Sequence, residues 1–149
     1  MTVKSLLKRK DIKLDIPAII VNSDQFIIFN LPDISEKDGF ATIYYTDNSK
    51  SSFVKIENKY IVDFKEKELI SNYASSGVYG FGTTQLLFDS IEWLKLKNIN
   101  YKGEYYIGPS LINIYWNRGN ITPIKTLIKL DLGSAQGITN FENFLNILK

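Results

Sequence analysis

Glu66-Lys67-Glu68-Leu69-Ile70-Ser71-Asn72-Tyr73-Ala74-Ser75-Ser76-Gly77-Val78-Tyr79-Gly80-Phe81 is the stretch on which the reading of this chain turns. Residues 71–81 read as a strand, with Val, Tyr and Phe among small polar residues. A glycine inside a strand, here Gly77, marks either a bulge or a place where a ligand comes close to the backbone. Beyond the strand, Thr83 and Thr84 suit the cap of a helix running through Leu94. Leu86, Leu87, Ile91 and Leu94 would form its inner side. On the other flank, Glu66-Lys67 follows a further strand. A lysine there anchors a phosphate as a point charge or simply lies solvated.

Working outward, the chain keeps alternating between strand and helix patterns. Thr2 precedes Val3, Leu6 and Leu7, which predict a short amphipathic helix ending before Asp15. Its Lys8-Arg9-Lys10 run reads as a solvated helix face. Pro17-Ala18-Ile19-Ile20-Val21 predicts a buried strand whose polar exit, Asn22-Ser23-Asp24-Gln25, faces a cleft. Residues 26–29 fit helix or strand equally. Residues 40–46 read as a strand, and residues 52–56 and 60–64 as a hairpin turning at Glu57-Asn58-Lys59. Pro109 sits near the start of a helix holding Leu111, Ile112, Tyr115 and Trp116, which Gly119 stops. Residues 121–124 and 127–130 are short strands, and a last helix is expected over roughly 140–148. The pattern predicts an α/β fold over residues 1–149, a single domain with a three-layer α/β/α arrangement around a mixed sheet.

Composition narrows the chemistry. The 149 residues are 44% hydrophobic and 23% charged, which fits one globular core. Eighteen basic and 16 acidic side chains leave a net charge of +2, too balanced for a nucleic-acid partner. Nine Tyr and nine Phe supply an aromatic interior or an aromatic-lined cleft. Cysteine and histidine are both absent, so disulfides, Ser-His-Asp triads, Cys-His pairs and histidine-built zinc sites are all excluded. Chemistry here must use carboxylates, lysine, hydroxyls, backbone amides or a hard metal. The apolar runs are too short to span a membrane, and no leader pattern opens the chain, so a cytoplasmic location is expected.

Ligands in open α/β sheets gather outside the carboxyl ends of strands. Asp24 closes one expected strand and Asp131 another. If the two strands run the same way, their carboxylates converge on Mg²⁺, a hard cation that takes oxygen ligands. A turn or capping role for each stands beside that reading. Glu104, ahead of Tyr105-Tyr106, accepts hydroxyls from a sugar or opens a helix.

Four segments, in order, carry a resemblance. The 66–81 stretch resembles the Glu-Lys, Ser-Asn-x-Ala and Gly-x-Tyr-x-Phe run of sugar-phosphate nucleotidyltransferases. Lys102-Gly103-Glu104-Tyr105-Tyr106-Ile107 resembles the family's Gly-Glu segment before a helix. Leu130-Asp131-Leu132-Gly133-Ser134 is similar to its Leu-Asp-x-Gly-Thr motif. Asn22-Ser23-Asp24-Gln25 is similar to its metal-site aspartate at a strand end. The resemblance spans residues 2–148 and implies a GT-A-like, Rossmann-related nucleotide-diphospho-sugar transferase fold. The reaction it implies joins a nucleoside triphosphate to a sugar 1-phosphate and releases pyrophosphate. It further implies that Asp24 and Asp131 hold Mg²⁺, that Lys67 holds the sugar phosphate, and that Glu104, the Gly77 backbone and Tyr79 meet the sugar. Asp24, Asp131 and Lys67 are then the catalytic set. Catalysis would be positioning and charge neutralisation, with the phosphate as nucleophile.

The chain also departs from that pattern. The family's opening strand and Gly-rich nucleotide loop have no counterpart, since the first glycine is Gly39. Ser134 stands for Thr, and Gly108-Pro109-Ser110 stands where relatives carry an Asp. The expectation is therefore the C-terminal, acceptor-holding part of such an enzyme, inactive alone. A sugar phosphate or related phosphorylated small molecule would be its ligand, and a homo-oligomer or a complementing N-terminal chain would cover its exposed sheet. The alternatives are a non-catalytic sugar-phosphate-binding module and a self-associating structural relic.

Overall fold

The computed structural model describes residues 12–148. The expected opening helix and its basic run lie outside them, except for residues 12–14, which are not helical. The strands are β1 (Ala18–Val21), β2 (Gln25–Ile28), β3 (Gly39–Tyr45), β4 (Ser52–Glu57), β5 (Tyr60–Glu66), β6 (Tyr73–Phe81), β7 (Ile121–Lys125) and β8 (Ile128–Asp131). The helices are α1 (Thr84–Leu96), α2 (Ile107–Ser110), α3 (Ile112–Trp116) and α4 (Ala135–Ile147).

The main sheet runs β5-β4-β6-β3-β7, with β1 also paired to β6. Only the β3–β7 pair is parallel, so the sheet is mixed, as expected. The nine-residue β6 is its spine. One edge of β6 takes β3. The other is shared, with Val78 to Phe81 on β1 and Ala74 on Phe53 of β4. Helices α1, α2 and α3 pack on one another and against β5, β6 and β7. Val54, Phe81, Ile61, Leu111, Ile114 and Ile121 fill the core between them. This is a mixed α/β fold with a central mixed sheet flanked by helices. Among the described residues no helix is long and apolar enough to cross a membrane.

The stretch that opened the reading contains a bulge. Ala41 pairs with Tyr79 and Ile43 with Ser75, so Thr42 alone faces Ser76, Gly77 and Val78. Gly77 takes φ +100, open to glycine and strained for other residues. The side chain of Thr42 repairs the broken ladder. Its hydroxyl accepts from Val78 N at 3.2 Å and from Ser76 Oγ at 2.6 Å, and Ser76 Oγ also bonds Thr126 Oγ1 at 2.6 Å. Thr42 and Ser76 are fully buried, so water cannot take over. Thr42→Val is therefore expected to cost about 1–3 kcal/mol in urea unfolding, because it orphans a buried amide. An unchanged midpoint would show that the bulge does not depend on this hydroxyl.

Local chemistry explains the other joints. Asn58 and Lys59 take φ 48 and 74, the geometry of a two-residue hairpin turn between β4 and β5. Thr83 caps α1, its hydroxyl accepting from Leu86 N at 3.0 Å. The single helix expected around Pro109 is two short ones, α2 and α3. Arg118, in the left-handed region at φ 62, ends α3 just ahead of the expected Gly119.

Three expectations change. Of residues 26–29, the first three are strand within β2 and Phe29 lies just past its end. β1 is not buried: Ile19 and Val21 are 44% and 56% exposed. The last helix begins at Ala135 rather than near residue 140. Ser134 caps it, accepting from Gly137 N at 3.1 Å, and Gly137 hides the apolar periodicity of its first turn.

β2 and β8 form a separate antiparallel ribbon. Its register pairs Gln25 with Asp131 and Ile27 with Lys129, so these four share one face. Phe26, Leu130, Ile28 and Ile128 share the other. Phe26 packs on Phe141 and Phe144 of α4, with ring centroids 5.0 and 6.0 Å away. Phe26 and Ile28 thus belong to the ribbon's helix-facing side, while Ile27 lies on the polar one.

Candidate functional site

Asp24 lies in the turn between β1 and β2, and Asp131 ends β8. They meet by a route other than parallel strand ends. Because β8 runs antiparallel to β2, its end comes back beside the start of β2, and Leu132 N donates to Asp24 O at 2.7 Å. Both side chains lie beside Gly133. A carbon added to it would lie 3.4 Å from Asp131 Oδ1 and 3.5 Å from Asp24 Oδ2. A methyl there would make ordinary van der Waals contact with both, so the two carboxylates flank the same glycine.

Asp131 also serves its own turn. Oδ2 accepts from Ser134 Oγ at 2.6 Å and Oδ1 from Gly133 N at 3.1 Å. The Ser134 hydroxyl first, then the Gly133 amide, hold this carboxyl below the usual value, and Lys129 adds to the effect. Asp131 therefore stays charged well into acid, and its contribution to stability is lost only as pH falls through that lowered pKa. The capping reading and the ligand reading are compatible, because each carboxylate oxygen keeps a free lone pair. Among the described residues no group of three or more His, Cys, Asp or Glu assembles. What is present is a pair of hard oxygen donors.

The Gln25–Lys129 face of the ribbon borders a polar cleft of about 160 Å³ beneath β6. Asn22, Ser75, Gly77 and Tyr79 line it, together with Tyr44 of β3 and Lys50 of the β3–β4 turn. The Gly77 carbonyl accepts from Asn22 N at 2.9 Å and its amide donates to Ser75 Oγ at 3.1 Å. Both backbone groups of Gly77 thus already have partners, and the residue shapes the cleft through its missing side chain. Tyr79 is 5% exposed, and burial pushes its phenol up to about 12, so it is protonated at neutral pH.

Lys67 and Glu104 lie together in an adjoining depression, lined also by Lys50, Tyr101, Lys102 and Tyr106. Tyr106 links them. Its hydroxyl donates to Glu104 Oε2 at 2.7 Å and accepts from Lys67 Nζ at 3.4 Å. The bond to Glu104 raises the Tyr106 pKa, and the bond to Tyr106 raises that of Lys67, which keeps the ammonium charged. Lys67 Nζ also stands 5.0 Å from the Tyr101 ring centroid and 5.3 Å from that of Tyr106. Glu104 is positioned by the tight turn that pairs it with Tyr101, in which Lys102 and Gly103 take positive φ.

The site residues expected from sequence thus fall into three groups: Asp24 with Asp131, Gly77 with Tyr79, and Lys67 with Glu104. Lys50 borders the last two groups. Lys50, Lys129, Gln25 and Tyr44 were not anticipated as site residues. Alternation from Asp131 points to Lys129 and, across the ribbon, to Gln25.

No family model matches this sequence, and no curated protein matches it. Solved structures do match by shape. The nucleoside-diphosphate-sugar pyrophosphorylase from Vibrio cholerae RC9 superposes with a TM-score of 0.76 at 22% identity, over 93% of this chain and 60% of that one. A Bacillus anthracis chain assigned as a glucose-1-phosphate thymidylyltransferase, solved in complex with a sucrose, gives 0.60 at 22% identity, over 85% and 53%. The inositol-1-phosphate CTP transferase from T. maritima gives 0.59 at 11% identity, over 91% and 56%. The present chain spans little more than half the length of these proteins. At such identities the likeness establishes the fold alone, a GT-A-like α/β architecture matched in part.

Proposed function

We propose that this chain holds the phosphorylated acceptor and a magnesium ion in a nucleotidyl transfer that forms an NDP-sugar from a nucleoside triphosphate and a sugar 1-phosphate. The observation that carries the reading is the carboxylate pair, Asp24 and Asp131, which flank Gly133 and stand next to Gln25, a residue that lines a cleft of hydroxyls, amides and lysines. Two carboxylates are a suitable protein share for Mg²⁺, which completes its shell with waters and substrate phosphates. A bound Mg²⁺ would neutralise charge on the phosphates.

The chain's own residues then orient the acceptor. Lys67 and Glu104, tied through Tyr106, present a fixed ammonium beside a fixed carboxylate. The ammonium suits a phosphate and the carboxylate suits sugar hydroxyls. Tyr79, protonated and buried, offers the cleft a neutral hydroxyl. The nucleophile is a phosphate oxygen of the acceptor, which fits a chain without histidine or cysteine. All three solved relatives carry names of nucleotidyl-transfer enzymes or NDP-sugar pyrophosphorylases, which supports the same reaction class.

Calorimetric titration with glucose 1-phosphate and with nucleoside triphosphates, with and without Mg²⁺, tests the reading. Mg²⁺-strengthened binding of the sugar phosphate is the expected result. Binding that ignores Mg²⁺ would favour a non-catalytic binding module, and no binding of either ligand would leave only a structural role.

A further inference from the structure

Charge in the two adjoining depressions is distributed unequally, and that bears on where the acceptor's phosphate sits. Lys67 is already compensated. It shares Tyr106 with Glu104, stands between two aromatic rings, and lies 3.9 Å from Glu66 Oε1. The cleft beneath β6 has no carboxylate in its lining, and its charged groups are the ammoniums of Lys50 and Lys129. Neither ammonium is within ion-pair distance of a carboxylate among the described residues. Lys129 is held by its Nζ, 4.8 Å from the Tyr44 ring centroid, and the Tyr44 hydroxyl is in turn bonded to Ser51 Oγ at 3.0 Å. Lys129 also acts on Asp131 at the end of β8, but two lysines without an ion-pair partner among the described residues, in a hydroxyl-lined concavity, favour an anion there.

A second feature of the same cleft concerns the rest of the ligand. Gln25 Oε1 is buried and has no hydrogen-bond partner among the described residues. A buried acceptor left unpaired is costly, and a ligand hydroxyl supplies the missing donor. Gln25 pairs with Asp131 across the ribbon, so a hydroxyl bound there lies on the same ribbon face as that carboxylate and Lys129.

We infer that Lys129 and Lys50 hold the phosphate of the acceptor in the cleft beneath β6, and that Gln25 Oε1 accepts a hydroxyl of its polyol body. The ligand class is a small phosphorylated polyol bearing a phosphate monoester. The inference rests on the reading above for the nature of the acceptor, but moves its phosphate from Lys67 to Lys129. Lys67 then serves the outer depression, where Glu104 and Tyr106 partly neutralise it.

Titrations of glucose 1-phosphate and inorganic phosphate into the full chain distinguish the two lysines. Lys129→Ala is expected to weaken both ligands about tenfold or more, with Lys129→Arg restoring most of the affinity and Lys67→Ala having less effect. Gln25→Leu is expected to weaken glucose 1-phosphate while leaving inorganic phosphate unchanged. Thermal unfolding of each variant separates a lost contact from a lost fold. If Lys129→Ala, folded, binds glucose 1-phosphate like the parent while Lys67→Ala does not, the inference is overturned and the acceptor-binding function stands. If the unaltered chain binds neither phosphate, both are overturned. If binding depends on Lys129 but not on Mg²⁺, the inference stands and the metal-dependent function does not.

Discussion

Gly77→Ala is expected to cost about 2–4 kcal/mol of folding free energy and to weaken any ligand of the cleft beneath β6. Two independent terms add. The backbone at φ +100 strains an L-residue by about 1–3 kcal/mol. The new methyl would also meet Asn22 Nδ2 at 2.8 Å and Asn22 Cβ at 3.1 Å. The amide end of Asn22 can swing away, but its Cβ cannot, because Asn22 N is hydrogen-bonded to the carbonyl of Gly77 itself. Relief then requires β1 to slide against β6, which moves the Asp24 turn. Gly103→Ala is the control. Gly103 has φ +83 with nothing within 4 Å of the added carbon, so it should show the backbone cost alone, about 1 kcal/mol. Urea unfolding of the two variants separates the terms. Equal losses would mean that the Asn22 contact is soft and that the bulge does not position the site.

The legible parts of the fold were those whose pattern survives in either environment. Residues 71–81 read as a strand, observed over 73–81, because small and aromatic residues suit a buried sheet, and Thr83 announces α1 because few residue types cap as well. β1 was misjudged for a related reason. Four consecutive apolar residues look the same whether one face or both are covered, and nothing within residues 18–21 reports that Ile19 and Val21 stay exposed. The start of α4 was hidden by Gly137, which packs against Asp131 and interrupts the apolar spacing. Asp24 and Asp131 were identifiable as strand-end acids, but not how they meet. Strands of four residues carry no mark of direction, and the antiparallel return of β8 becomes evident only in the register that pairs Gln25 with Asp131. Lys129 was within reach of simple alternation. Lys50 was not, because a turn lysine becomes a cleft lysine only once β4 has folded back beside β6.

Asp24→Asn separates the two roles open to the carboxylate pair. If the pair binds Mg²⁺ with substrate phosphates, this change is expected to weaken Mg²⁺-dependent glucose 1-phosphate binding by about a hundredfold or more, since even groups supporting a metal ligand matter about 10–100-fold. Stability should not fall with it. Asp24 is exposed, and its carboxylate and that of Asp131 both flank Gly133. Substitution of an exposed side chain changes stability little, so the unfolding midpoint is expected to hold. Asp131→Asn should lose binding to a similar degree but also lower the midpoint, because it weakens the acceptor of the Ser134 and Gly133 hydrogen bonds that set the β8–α4 turn. The double variant should bind no more weakly than either single one, as two ligands of one ion act as a unit. Purely structural carboxylates give a different pattern, in which binding is indifferent to Asp24 and the midpoint falls only with Asp131. Loss of binding at Asp24 without loss of stability is the signature of a ligand rather than a structural group, and calorimetry beside thermal unfolding on the same three variants reads it directly.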